Sequence, residues 1–197
     1  MRTALSPVTE TTCQAALTEL SHYALTAASL PALFEQTTTL VSQVLKGHDC
    51  SIWQLLSDHQ SLQCIASTLA TDNLPVQALR IALDSDKQDS LKRLNQASSN
   101  RFLEPIAVGE WLIPTPPPAI KGWLIGIPGQ EKILGAVSIH GDETNLFSTG
   151  QVHFLQAVSG ILAAAIERRR TEALIWLTDK SLVRLIEKRA HLELQPL

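Results

Sequence analysis

Apolar positions recur every three to four residues at the start of the chain and at its end, and every second residue between. Cys13, Ala16, Leu17, Leu20, Tyr23, Ala24 and Ala27 make one helical stripe, with Ser6-Pro7 as its start signal. Pro31 opens a second helix whose buried face is Leu33, Phe34, Leu40, Val41, Val44 and Leu45, ended by Gly47. The period then changes to that of strands, over Cys50–Ser57 and Ser61–Leu69, with Asp58-His59-Gln60 as the turn. Leu79–Leu83 reads as a third strand and 102–108 as a fourth. Asp84-Ser85-Asp86 starts a polar helix over about 87–97. Pro114-Thr-Pro-Pro-Pro118 suits neither a sheet interior nor a helix and forms a stiff connector.

Lys121–Ile127 and Ile133–His140 then pair as an antiparallel hairpin. Ser148 and Gln151 stand at capping-box spacing, and from there to about Glu193 no proline occurs and Gly160 is the only further glycine. A helix of roughly 45 residues would span about 70 Å, far more than a small domain needs. Its apolar seam, Leu155, Leu162, Ile166, Ala173, Trp176 and Val183, is broken by Ser159, Arg169 and Lys180. That pattern describes a short or switchable helical pairing rather than a regular coiled coil. Ile175, Leu182 and Ile186 offer a second stripe. Helices at both ends of a run of antiparallel strands make an α+β sandwich.

Composition narrows the function. The chain has 197 residues, 45% of them hydrophobic, enough for a core, and a net charge of −3, which gives no footprint for nucleic acid. Arg168-Arg169-Arg170 is flanked by Glu167 and Glu172 and reads as an ion-paired helix face. No signal-peptide core and no apolar run of about 18 residues is present, so a cytoplasmic protein without membrane contact is expected. Cys13, Cys50 and Cys64, odd in number and without a CxxC, read as buried thiols. The six histidines show no metal-ligand spacing. His140, at the end of the last strand, is either a strand-end residue bonded to backbone or a pocket group. Asp84, Asp86 and Asp89 either stabilise a helix N-terminus or meet a polar or cationic ligand. Trp111 and Trp123 flank the proline tract and either stack on a ligand or belong to the core. Trp176, on the long helix, points to a subunit contact.

The stretch Leu30-Pro-Ala-Leu-Phe34 through Val41, Val44 and Leu45 into Cys50-Ser-Ile-Trp53 resembles the opening of a GAF domain, a small-molecule-sensing module. Ile133–Ile139 resembles that family's last strand, and Phe147–Glu167 its closing helix. The resemblance covers residues 15–170, leaving 1–14 as an N-terminal arm and 171–197 as a helical extension. It implies a six-stranded antiparallel sheet with the first, second and last helices on one face. Loops and the small helix around 70–120 would form a ligand pocket on the other, containing Asp84, Asp86, Asp89, Trp111, Trp123 and His140. It further implies a homodimer paired through Leu17 and Leu20 of the first helix and Leu155, Leu162, Ile166, Ala173, Trp176 and Val183 of the last. The last helix would continue toward an output domain such as a histidine kinase or a nucleotide cyclase.

Three departures restrict the ligand. The cyclic-nucleotide signature would place Asn-Lys where His140-Gly141 stand and Asp-Glu where Gln151-Val152 stand, and keeps only Phe147. No cysteine follows Cys64, which removes the usual covalent bilin attachment. The pocket cysteines of catalytic methionine-sulfoxide-reducing members are missing as well, so no enzyme is expected. Two readings stay open: a sensory domain coupling ligand occupancy to the long helix, or an assembly scaffold whose pocket is filled by its own side chains.

Overall fold

The computed structural model describes residues 10–46, 48–58, 60–69, 75–89, 103–107, 121–130, 132–141 and 147–193. Helix α1 spans Glu10–Thr26 and turns Cys13, Ala16, Leu20 and Ala24 inward, the spacing of its apolar stripe. Helix α2, Leu30–Val44, begins where Ser29 Oγ accepts from the Ala32 amide and Pro31 occupies the first turn. The start signal Ser6-Pro7 and the stop signal Gly47 lie outside the described residues.

Six strands follow: β1 Asp49–Leu55, β2 Ser61–Ser67, β3 Arg80–Ala82, β4 Leu103–Ala107, β5 Lys121–Ile127 and β6 Gly135–Gly141. They join one antiparallel sheet in the order β3-β2-β1-β6-β5-β4. Four strands of seven residues form its body, and the short β3 and β4 edge it. The third strand is shorter than its sequence pattern. Leu79 closes a 3-10 turn onto the Val76 carbonyl, and the regular strand is confined to Arg80–Ala82. Leu79 O still accepts from the Cys64 amide, and the Leu83 amide still donates to Gln60 O just before β2. Asp58 Oδ1 accepts from the amides of Gln60 and Ser61 and holds the β1–β2 turn. At Gly135 a Cβ would collide with the Trp53 carbonyl, so glycine allows β6 to approach β1 beside the β1 bulge between Ile52 and Trp53. Of the expected polar helix, 85–89 is helical, and 90–100 lies outside the described residues.

Helix α3 runs without interruption over Thr149–Glu193, 45 residues. Ser148 Oγ accepts from the Gln151 amide while Gln151 Oε1 accepts from the Ser148 amide, the reciprocal pair that starts it. Its first half packs on the sheet and on α1, burying Phe154, Leu155, Val158, Leu162, Ala165 and Ile166. Facing them are Cys50, Ile52, Ile125, Ile127, Val137 and Ile139 of the sheet. Burial of each such side chain contributes about 1.5–3 kcal/mol. By length and composition, 149–178 of α3 would suffice to cross a membrane, but its first half is the core of this globule.

That packing corrects the expected pairing seam. Leu20, Leu155, Leu162 and Ile166 are buried in the core of a single chain, and Leu17 packs partly against it. Leu20, Leu155 and Leu162 are at most 2% exposed and Ile166 is 7% exposed. The polar breaks are structural too. Ser159 is buried and donates its hydroxyl to the Gly126 carbonyl of β5. Arg168 Nη2 donates to Ala24 O at 2.8 Å, and Arg169 Nη2 to Ala27 O at 2.7 Å and Ala28 O at 3.3 Å. These two guanidiniums tie α3 to the end of α1 and the turn into α2. Beyond them the helix leaves the globule.

Candidate functional site

The sheet face turned away from the helices carries Ser51 and Trp53 on β1, Leu62 and Cys64 on β2, Leu124 on β5, and Ala136, Ser138 and His140 on β6. Register aligns Ser51 with Ser138 and Trp53 with Ala136, and places Gly122 opposite His140 and Gly126 opposite Ala136. Strand β5 therefore offers this face one side chain, Leu124, between two glycines, and sets no Cβ beside His140.

Five polar side chains here form a chain. Trp53 Nε1 donates to Ser138 Oγ at 2.9 Å, and Ser138 Oγ lies 2.9 Å from His140 Nε2. Ser51 Oγ is 3.4 Å from the same nitrogen and 2.7 Å from Ser67 Oγ, which accepts from the Leu69 amide. Ser51, Ser138 and His140 are all at most 2% exposed. Indole nitrogen is only a donor, so Ser138 accepts from Trp53 and has its own proton to give to His140 Nε2. In the tautomer that accepts this proton at Nε2, the ring carries its own proton on Nδ1; His140 Nδ1 has no partner among the described residues. Burial pushes the His140 pKa down to about 4, so the ring is neutral near pH 7. The arrangement presents one buried, uncharged imidazole nitrogen with a glycine opposite it on β5. With the ring proton on Nδ1, it suits an oxygen acceptor on an uncharged or partly apolar molecule.

Burial raises the Cys64 thiol to about 12 and the Cys50 thiol higher still, so neither forms a thiolate. Among the described residues no group of three or more His, Cys, Asp or Glu side chains could hold a metal.

The residues anticipated at this site are dispersed. Trp123 has the same strand parity as Ile125 and Ile127 and is opposite Ile139, so it lies on the helix side, half-buried. Its ring centroid is 5.8 Å from that of Phe147, which is 5.7 Å from His48. Trp123, expected to meet ligand beside His140, stands on the opposite sheet face from it. Asp84 is exposed, accepts from the Lys87 amide at 2.9 Å and pairs with Lys87 Nζ at 2.8 Å. Those bonds to Lys87 lower its pKa and mark it as a helix cap. Asp86 and Asp89 are likewise exposed, and none of the three aspartates joins the His140 chain. Trp111 lies outside the described residues. On the rod Ala173 is exposed, Trp176 is 59% exposed with Lys180 Nζ 4.6 Å above its ring, and Val183 is described by its backbone alone. Ser51, Trp53 and Ser138 were not anticipated as polar partners. Serines two residues from His140 and across from it in apolar strands are the signal that marks them.

No family model and no curated protein matches the sequence. Solved structures do. The chain is similar to the GAF domain of a phosphoenolpyruvate-protein phosphotransferase from Coxiella burnetii, with a TM-score of 0.66 at 18% identity over 84% of this chain and 98% of that one. It is similar to the corresponding Acinetobacter GAF domain, with a TM-score of 0.63 at 14% identity over 80% and 94%. A phycocyanobilin-bound GAF domain of a cyanobacterial phytochrome gives 0.61 at 17% identity over 81% and 96%. At these identities the likeness establishes a GAF fold.

Proposed function

We propose that this chain, a GAF fold by structure, is a non-catalytic sensory module that binds a small molecule on the sheet face at His140 and relays occupancy to α3. The observation that carries this reading is the buried His140 Nδ1, a ring nitrogen without a hydrogen-bond partner among the described residues, with Gly122 opposite on β5. An unpaired buried polar group costs about 1–3 kcal/mol, and a ligand carbonyl oxygen would restore that bond when the ring proton is on Nδ1. One phytochrome relative holds a bilin, a molecule with such oxygens. Covalent bilin attachment does not suit this chain's buried, protonated thiols, so a ligand here is held non-covalently.

A physical route leads from that site to the rod. Strand β5 touches the site through Leu124, and its Gly126 carbonyl accepts the Ser159 hydroxyl of α3. A ligand that favours one position of β5 shifts α3 by its difference in affinity between the two positions. We further propose that the exposed part of α3 pairs with a second copy through Ala173, Trp176 and Val183, in the cytoplasm, and passes the signal to a kinase or cyclase output domain. Domain limits of 15–170 and 171–197 fit this division of labour.

Native mass spectrometry of protein purified from its own host tests the reading. A retained small molecule, lost in His140→Leu, is expected; an empty wild-type protein overturns it. A second reading, a ligand-free assembly scaffold, draws on the exposed run Leu174, Ile175, Trp176 and Leu177. Under it, light scattering at micromolar concentration would give a dimer mass in empty protein and in His140→Leu alike.

A further inference from the structure

A cavity of about 260 Å³ lies on the helix side of the sheet, across the sheet from His140. Leu30, Pro31 and Phe34 of the first turns of α2 form one wall, Ile65 and Leu134 the sheet end of another, and Ile166 of α3 closes it. Protein interiors are packed about as densely as organic crystals, and an apolar cavity of about 150 Å³ already accepts benzene. This hollow is larger; it opens to solvent beside Pro31 and Gln54, and its floor is the buried core residues Phe34, Ile52, Ile127, Leu134 and Ile166. Gln54, exposed to solvent, is the single polar side chain in its lining; the Trp53 indole is turned to the opposite face, where it is bonded to Ser138. Nothing in the lining would pair with a charge.

The position matters as much as the chemistry. Ile166 stands two residues before Arg168, which holds the Ala24 carbonyl, and three before Arg169, which holds Ala27 and Ala28. Leu30 and Pro31 stand just after that gripped turn. Whatever fills the cavity touches both sides of the clasp joining the rod to the globule.

We infer that this cavity is a second ligand site, for a compact uncharged apolar molecule, whose occupancy tightens the Arg168–Arg169 clasp and steadies the exit of α3. It does not depend on the sheet-face site proposed above. The occupant is neutral because a buried ion here would lack any partner, and it is compact because the space holds little more than a substituted benzene ring.

Toluene is the probe, read by the methyl resonances of isoleucines. Saturable shifts at Ile52, Ile127 and Ile166, all in the lining, with Ile133 of the opposite face unmoved, are expected. No saturable shift, or shifts centred on Ile133, overturns the site. Ile65→Phe and Leu30→Phe, which fill the void from a strand and from a helix start, should each weaken toluene binding at least tenfold while melting cooperatively. Binding as tight as wild type in both overturns the assignment. His140→Leu should bind toluene as wild type does, which separates this site from the first. Amide exchange over 167–173 should slow severalfold on saturation with toluene, and not in Arg169→Ala; unchanged exchange in wild type overturns the coupling.

Discussion

The two faces of the sheet are built from the same strands, yet they are held by different forces. The helix face is a continuous apolar contact between Ile125, Ile127, Val137 and Ile139 and the buried stripe of α3. The other face mixes Leu62, Cys64 and Leu124 with a hydrogen-bonded row of Trp53, Ser138, His140 and Ser51. The first kind of contact is tolerant of direction and scales with area. The second depends on each donor finding its acceptor, and it leaves one ring nitrogen over. One face fixes the fold, and the other has the specificity a ligand needs.

The contrast can be broken most forcefully on the helix face. Leu162→Ala removes a fully buried side chain from the middle of the α3 stripe and should cost about 2–5 kcal/mol in urea unfolding. If the loss is below about 1 kcal/mol, the α3 packing is not the main support of the domain.

On the polar face the sign of the pH dependence is fixed by His140. Its folded pKa is near 4 and its unfolded value near 6.5. Between those values the unfolded chain binds a proton that the folded chain refuses, so stability is full above pH 6.5 and falls as pH drops toward 4. The loss is on the order of 3 kcal/mol, at about 1.4 kcal/mol per unit. Urea unfolding from pH 7 to 4 should show that slope in wild type and a flatter one in His140→Gln.

Ser138→Ala deprives the Trp53 indole of its acceptor and should cost about 1–3 kcal/mol. A red- or blue-shifted Trp53 emission on the variant would accompany it, whereas unchanged stability would mean that the row contributes no net bonding.

The smallest effect belongs to neither face. Trp176→Ala, on the exposed part of α3, should change the unfolding free energy of one chain by no more than about 0.5 kcal/mol. Under the proposed pairing of the rod, sedimentation should instead show a lower mass for the variant than for wild type, since within the chain this indole meets Lys180 of its own helix.

Much of this was legible from local pattern. The hairpin of β5 and β6, the Ser148–Gln151 start of α3, the passage of that helix through Gly160, and the burial of Cys50 and Cys64 all follow from residues close in sequence. The site was less legible. Trp123 was a plausible ligand contact until its strand parity put it with Ile125 and Phe147. Asp84 looked like part of a carboxylate group until its oxygen met the Lys87 amide.

By itself the sequence determined the elements and their caps, because helix and strand periods, prolines and capping side chains act over a few residues. Tertiary structure alone decided what Ser159 and Arg169 do. Read along the chain they break an apolar seam; in the fold they bond to Gly126, 33 positions away, and to Ala27, 142 positions away. The same holds for His140, whose partner Ser51 is 89 residues distant. Such bonds depend on which strands lie side by side and in what register, and that is settled by the collapse of the whole core rather than by any window of sequence.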